Sequence, residues 1–151
     1  MKTKKQQIDS FFSAGKIAIA GVSRSPKKFG YQVFHELKEK KYPVIPLNPN
    51  ADTIDGESCY KSLDKLPAGT DSLLILTPKH ETDKLLREAI SKGIKNIWIQ
   101  QMSETPESMK IASEAQKEII LGKCVFMFAE PVKGVHKFHR SLVKFFGGLP
   151  K

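Results

Sequence analysis

Between Gly21 and Gly30 the chain reads Gly-Val-Ser-Arg-Ser-Pro-Lys-Lys-Phe-Gly, placing two hydroxyls and three cations between two glycines. Glycine at 21 lets the backbone turn tightly. Ser23 and Ser25 can donate to phosphate oxygens, and Arg24, Lys27 and Lys28 add positive charge. A helix beginning near Gly30 directs its free N–H groups and the positive end of its dipole at the same place. Together these are the parts of an anion site. A basic loop facing solvent is the plainer reading of the same residues.

The loop departs from two phosphate-binding patterns. There is no G-x-G-x-x-G, and Leu47-Asn48-Pro49 lacks the acidic residue that would hold a ribose 2′-hydroxyl. No G-x-x-x-x-G-K-[ST] occurs either. These absences disfavour an NAD dehydrogenase, while Arg24 opposite a 2′-phosphate keeps NADP open.

Catalytic groupings are not apparent elsewhere. His35 falls on a helix, as a surface or packing residue does, and His80 stands in no matching motif. His136 and His139 are three apart, a spacing able to share a metal, with no third ligand signposted. Cys59 and Cys124 are too few for a disulfide scaffold or a cysteine-based zinc site. Cys59 lies in a loop, where a mixed disulfide with a ligand thiol is conceivable, and Cys124 opens an apolar run. Asp52, Asp55 and Glu130 show no pairing suited to acid–base work. No serine occupies a G-x-S-x-G elbow.

The elements positioning these residues are legible from periodicity. A short amphipathic helix is expected over 5–14, its apolar face in Ile8–Ala14, ended by Gly15. Strands are expected at Lys16–Gly21, Tyr42–Leu47, Asp71–Leu76, Lys95–Gln100 and Lys123–Phe128. Helices are expected at Tyr31–Lys41, at Glu81–Lys92, from Ser103 to about Ile120, and at Val135–Phe146 (the C-terminal helix 135–146). Ser62–Leu66 is at most a helical turn. Strands alternating with helices imply parallel crossovers, and solidly apolar strands imply a sheet covered on both faces. The expected fold is a single doubly wound, Rossmann-like α/β domain over 1–151 with its core at 15–130. Its sheet has five parallel strands in the order 3-2-1-4-5, counting the expected strands along the chain. Such sheets bind ligands beyond the carboxyl ends of their strands, at the switch point beside strand one.

Composition sets the class. With 151 residues, 40% hydrophobic and 27% charged, the chain can bury the core of one domain. No apolar stretch approaches the length of a membrane span, and the lysine-rich start is unlike a secretory signal, so a cytoplasmic protein is expected. The net charge of +9 is concentrated at the ends. Residues 1–30 hold seven basic residues and one acid, 131–151 hold five basic and no acid, and 31–130 hold 13 against 15. Such ends suit a polyanion or a solvated basic surface.

Four segments, each following an expected strand, carry a resemblance. They are Ile19-Ala-Gly-Val-Ser-Arg-Ser-Pro-Lys-Lys-Phe-Gly-Tyr31, Val44-Ile-Pro-Leu-Asn-Pro-Asn-Ala-Asp52, Leu76-Thr-Pro78 and Trp98-Ile-Gln100. In this order the chain resembles the CoA-binding domain family, small relatives of the nucleotide-binding domain in the α subunit of succinyl-CoA synthetase, over roughly residues 13–130. The resemblance implies that Gly21, Val22, Ser23, Arg24, Lys28, Phe29 and Gly30 form the loop around the ADP phosphates. It places Asn48 and Pro49 along the nucleotide, and Thr77, Pro78 and Gln100 beside the pantetheine arm and adenine. Where the synthetase has a lysine soon after the strand-two proline, this chain has Asn50-Ala51, so Lys28 or Arg24 must supply that charge. The synthetase's phosphorylatable histidine lies in a second domain, and no histidine here matches it.

CoA carries about four negative charges near neutral pH, in its pyrophosphate and 3′-phosphate. Three cations and two hydroxyls at a helix N-terminus complement them. The expected role is therefore binding of CoA or acyl-CoA, non-catalytic by itself, as carrier, sensor or regulatory partner, with a protein partner or homodimer possible. Two other readings stand beside it. One is an NAD(P)-binding redox sensor or enzyme in the same crevice. The other is a nucleic-acid binder using the basic ends, where Phe138, Phe145 and Phe146 alternate with Lys137, Arg140 and Lys144.

Overall fold

The structure is a computed structural model and describes residues 3–130 and Pro150. The expected C-terminal helix 135–146, with His136 and His139, lies outside the described residues. The elements run α1 (Lys5–Ser13), β1 (Lys16–Ala20), α2 (Phe29–Glu39), β2 (Val44–Leu47), β3 (Thr53–Ile54), β4 (Glu57–Ser58), β5 (Thr70–Ile75), α3 (Lys79–Ser91), β6 (Asn96–Gln100), α4 (Pro106–Glu114) and β7 (Ile119–Lys123). Short 3-10 turns cover Leu63–Lys65 and Val125–Met127.

Period-two alternation in buried strands sorts the core into two layers. Ile17 and Ile19 of β1, with Leu74, Trp98 and Ile120, meet Phe11 of α1 and Val33, Phe34 and Leu37 of α2. Ala18 and Ala20, with Leu73, Ile75, Ile97 and Ile99, meet Leu86 and Ala89 of α3 and Ile111 and Ala112 of α4. The five main strands are thus covered on both faces, and all their pairings are parallel. Trp98 is wholly buried, donates its indole N–H to the Lys123 carbonyl at 3.0 Å, and stacks edge-on against Phe11 at 5.2 Å. That contact fastens α1 to the sheet.

The parallel five-stranded sheet is as expected, but its order differs. It is β2-β1-β5-β6-β7, which is 2-1-3-4-5 in the expected strands and not 3-2-1-4-5. Pro46 supplies a reason. Its carbonyl accepts from the Tyr60 N–H at 2.9 Å on the side away from β1. A strand residue's N–H and carbonyl point the same way, so the missing proline donor also faces outward. A neighbouring strand there would find no donor, and β2 takes the edge. The third expected strand goes instead to the other side of β1, where Leu73, Leu74 and Ile75 are wholly buried. The direction of winding still reverses beside β1, so the switch point falls between β1 and β5.

The last strand also differs from expectation. α4 stops at Glu114 and not near Ile120, and the chain turns through Gln116 at φ 50° before β7 begins at Ile119. No glycine marks that stop. The apolar run after Lys123 is buried as a 3-10 turn and not as a strand. Short apolar runs are ambiguous in periodicity alone.

Candidate functional site

The carboxyl ends of β1, β2 and β5 open into a cavity of about 650 Å³, lined by Gly21, Val22, Ser23, Asn48, Pro49 and Thr77 among others. Half of the twelve residues singled out in the sequence therefore meet around one space. The cavity lies on the α3 face. A second cavity of about 440 Å³ opens on the α2 face, lined by Phe29, Leu76, Gln100, Gln101, Met102 and Ser103. Phe29 and Gln100 belong to that one. Arg24, Lys28, Gly30 and Pro78 line neither.

Gly21 makes the divide between the two spaces possible. It adopts φ 89°, and a Cβ there would come within 2.8 Å of the Leu76 carbonyl carbon and 2.9 Å of the Thr77 nitrogen. The Gly21 backbone thus rests on the Leu76–Thr77 peptide, where any side chain would both strain and clash. Leu76 and Thr77 are consecutive and face opposite ways, so each borders a different cavity.

The loop after β1 is shaped by its own serines. The Ser23 hydroxyl accepts from the Ser25 N–H at 3.0 Å, and the Lys28 N–H donates to the Ser25 carbonyl at 3.0 Å. Lys28 is the N-cap of α2, with an extended backbone and no side-chain cap bond. The helix therefore begins one residue earlier than Gly30. Arg24, Lys27 and Lys28 are exposed, and no carboxylate among the described residues pairs with them. Lys38, Lys61, Lys92 and Lys95, by contrast, are each held by an acid.

Asn48 is a brace. Its amide nitrogen donates to the Val22 carbonyl at 2.8 Å, and its oxygen accepts from the Asn50 N–H at 2.7 Å. This ties the loop after β2 to the loop after β1. Thr77 is buried, its hydroxyl 3.2 Å from that of Thr82 in α3. Pro78 caps α3, whose N-terminus points at the larger cavity. Gln100 is also buried, and its side-chain oxygen accepts from the Val125 N–H at 3.0 Å, anchoring the turn after β7.

Several residues at the cavity were not anticipated. Lys61, His80 and Lys84 line it together with Glu81 and Glu88. His80 and Glu81 stand in the first turn of α3, just beyond the Leu76-Thr-Pro78 segment, and that adjacency was the available signal. Lys61 is carried in by the connection from β2, whose Tyr60 bridges to Leu47. No local pattern announces it. It brings a cation to the cavity that the sequence reading sought only in Lys28 or Arg24, though it also pairs with Asp52 at 3.0 Å.

The other chemical candidates take structural parts. Asp55 and Gly56 both have positive φ and form the turn of the β3–β4 hairpin, an Asp-Gly signal readable in the sequence but not drawn from it. Asp55 binds α2 through His35 Nδ1 at 2.8 Å and the Tyr31 hydroxyl at 3.0 Å. These bonds, His35's first, hold its carboxyl below the usual carboxylate range. The bond that the Tyr31 hydroxyl donates to Asp55 pushes that hydroxyl's own pKa up. Burial pushes the Cys59 thiol up, and its Sγ lies 3.7 Å from the Asn48 carbonyl oxygen. Glu130 meets the Tyr42 hydroxyl through its carbonyl at 3.1 Å, beyond the C-terminal end of α2 and far from the switch point.

Comparison with known proteins matches this geometry to relatives. A family model described as CoA binding domain matches residues 15–129. The α subunit of acetate–CoA ligase [ADP-forming] II from Pyrococcus furiosus is 33% identical over 129 residues, which is 78% of this chain and 28% of that protein. The chain thus spans about a quarter of the length of that relative. A conserved hypothetical protein of known structure from Pyrococcus furiosus is 33% identical, with a TM-score of 0.70 over 74% of this chain and 96% of that one. A hypothetical protein from Pyrococcus horikoshii OT3 is 28% identical, with a TM-score of 0.76 over 87% of this chain and 93% of that one.

Proposed function

The chain belongs to the CoA binding domain family, and from that premise we propose that it binds CoA or acyl-CoA in the crevice between β1 and β5, as a carrier, sensor or regulatory module without chemistry of its own. The observation that carries this reading is the loop after β1, whose Gly21, Val22 and Ser23 line the larger cavity beside the N-terminus of α3, and whose Arg24, Lys27 and Lys28 pair with no carboxylate among the described residues as they lead into α2. Its exposed guanidinium and ammonium groups match a pyrophosphate and a 3′-phosphate, and the start of α2 adds its dipole. The twelve residues Gly21, Val22, Ser23, Arg24, Lys28, Phe29, Gly30, Asn48, Pro49, Thr77, Pro78 and Gln100 form or support the site in this proposal. Gly21 and Gly30 allow close backbone packing, Asn48 and Gln100 hold neighbouring segments, and Lys61 adds a cation.

The non-catalytic part of the proposal rests on the sequence, in which no catalytic grouping is apparent. Among the described residues lining the cavity the histidine is His80, whose Nε2 lies 3.4 Å from Glu81 Oε1 on an exposed helix turn. No group of three or more His, Cys, Asp or Glu suited to a metal occurs among the described residues. Among the described residues no helix is long and apolar enough to cross a membrane.

Calorimetric titration with CoA, dephospho-CoA and NADPH tests the proposal. Binding of CoA that weakens when the 3′-phosphate is removed is the expected result. Heat with NADPH and none with CoA would move the crevice to redox cofactors and overturn it.

A further inference from the structure

The second cavity differs in character from the first. It opens at the carboxyl end of β6, and its walls are Phe29, Leu76, the turn Gln100–Ser103 and the Met102 side chain. Among the described residues the exposed large hydrophobics are Phe29 at 45%, Met102 at 77% and Met109 at 52%. Two of these three stand at this one opening. An exposed apolar cluster beside a recess marks a surface that meets an apolar group.

Met102 carries a second, independent sign. The Ser103 N–H donates to the Gln100 carbonyl at 2.9 Å, closing a four-residue turn in which Met102 sits at φ 74°. That position favours glycine, because a Cβ there is strained. A long apolar side chain held in a strained turn, and mostly in solvent, does nothing for folding that glycine would not do better. Outliers of this kind cluster where a ligand is gripped.

The recess also lies beside the proposed CoA site. Gly21, Leu76 and Gln100 follow three adjacent strands in one row, with Ile75 beside Ile99 and Ala20 beside Ile75. Gly21 and Leu76 separate the recess from the larger cavity, and a ligand occupying both would lie across that row. Beyond it stands the wall of Phe29, Leu76 and Met102. Phe29 is fixed by an edge-on contact with Phe126 at 5.8 Å between ring centroids.

We infer that the physiological ligand is a CoA thioester with an apolar acyl chain, and that the recess of Phe29, Leu76 and Met102 seats that chain. This rests on the CoA reading above. Met102, flexible and polarizable, adapts to the chain, and Phe29 forms the fixed wall. Each methylene taken fully out of water would strengthen binding by about fourfold, and a half-covered one by about twofold.

The test compares CoA with acetyl-, butyryl- and hexanoyl-CoA by calorimetry, on the unaltered chain and on Met102→Gly. Hexanoyl-CoA should bind at least tenfold tighter than CoA. Met102→Gly should remove most of that gain, leave CoA affinity within twofold, and raise Tm by relieving the turn. Affinity for the acyl chain and stability would then move in opposite directions, which loss of folding cannot produce. If CoA binds but the acyl series is flat, or if Met102→Gly keeps the full gain, the acyl seat is wrong and the CoA site stands. If none of the four ligands binds, the CoA reading itself fails and the seat fails with it.

Discussion

Gly30, the second residue of α2, lies directly on Gly21: a Cβ built at position 30 would overlap the Gly21 carbonyl oxygen and approach Val22 Cα to 3.3 Å. This approach seats the start of α2 on the loop after β1, and backbone cannot yield as a flexible side chain does. Gly30→Ala should therefore cost about 1–3 kcal/mol, read from urea unfolding, and weaken CoA binding by displacing the helix N-terminus. Unchanged stability would mean that the helix can shift freely.

Arg24 and Lys28 have no carboxylate partner among the described residues, so removing them should not disturb the fold. Arg24→Ala combined with Lys28→Ala should leave Tm within about 2 °C, as surface substitutions do. CoA affinity should fall by about tenfold or more, with a shallower dependence on salt. Unchanged CoA affinity in the double variant would remove the phosphates from this loop.

Asn48 acts on the loops and through them on the ligand. Asn48→Ala leaves the Val22 carbonyl without its donor and should cost about 1–2 kcal/mol. Asn48→Asp keeps the acceptor for Asn50 N–H, loses the donor and adds negative charge beside the cavity. It should reduce CoA affinity more than Asn48→Ala does, and the comparison of the two by calorimetry and thermal melting separates charge from bracing.

Asp55 sets an acid limit to stability. Its carboxyl is held below its ordinary value in the fold, so the unfolded chain takes up the proton first as pH falls. Its contribution is complete above the unfolded carboxylate range near about pH 4 and is lost as pH drops through the lower native value. Asp55→Asn tolerates the positive φ and removes the charge. Melting curves from pH 7 to pH 3 should show this variant less stable at neutrality, with the gap to the parent chain narrowing in acid. A gap independent of pH would mean that the His35 and Tyr31 bonds contribute through geometry alone.

Cys59 should be a slow thiol. Burial keeps it protonated, since the thiolate is the charged form and is disfavoured there. At pH 7.5 an aromatic disulfide reagent should label it at least about tenfold more slowly than it labels the urea-unfolded chain. Fast labelling in the native protein would reopen the mixed disulfide with CoA.

What could be read from the sequence is what depends on neighbours in the chain. Apolar runs such as Lys16–Ala20 and Asp71–Ile75 between turn residues, alternating with helical spacing, identify a parallel sheet covered on both sides. The Gly21–Gly30 segment is legible as a candidate anion loop because its glycines, hydroxyls and cations are consecutive. The Asp55-Gly56 hairpin was equally local. The end of α4 was not, because Gln116 adopts a left-handed backbone without any residue that signals it.

Tertiary structure decided the rest, because each remaining choice is a competition between distant partners. β2 lies at the edge because Pro46 has no donor for an outer strand, and β5 joins β1 because Leu73 to Ile75 need cover on both faces. That order brings Lys61 and His80 to the cavity, turns Asn48 into a brace on Val22, and splits Leu76 from Thr77 into separate spaces. The sequence alone determines that a cationic, glycine-bounded loop follows the first strand. Which residues surround it depends on which strands lie side by side, and that depends on the pairing and packing free energy of the whole sheet.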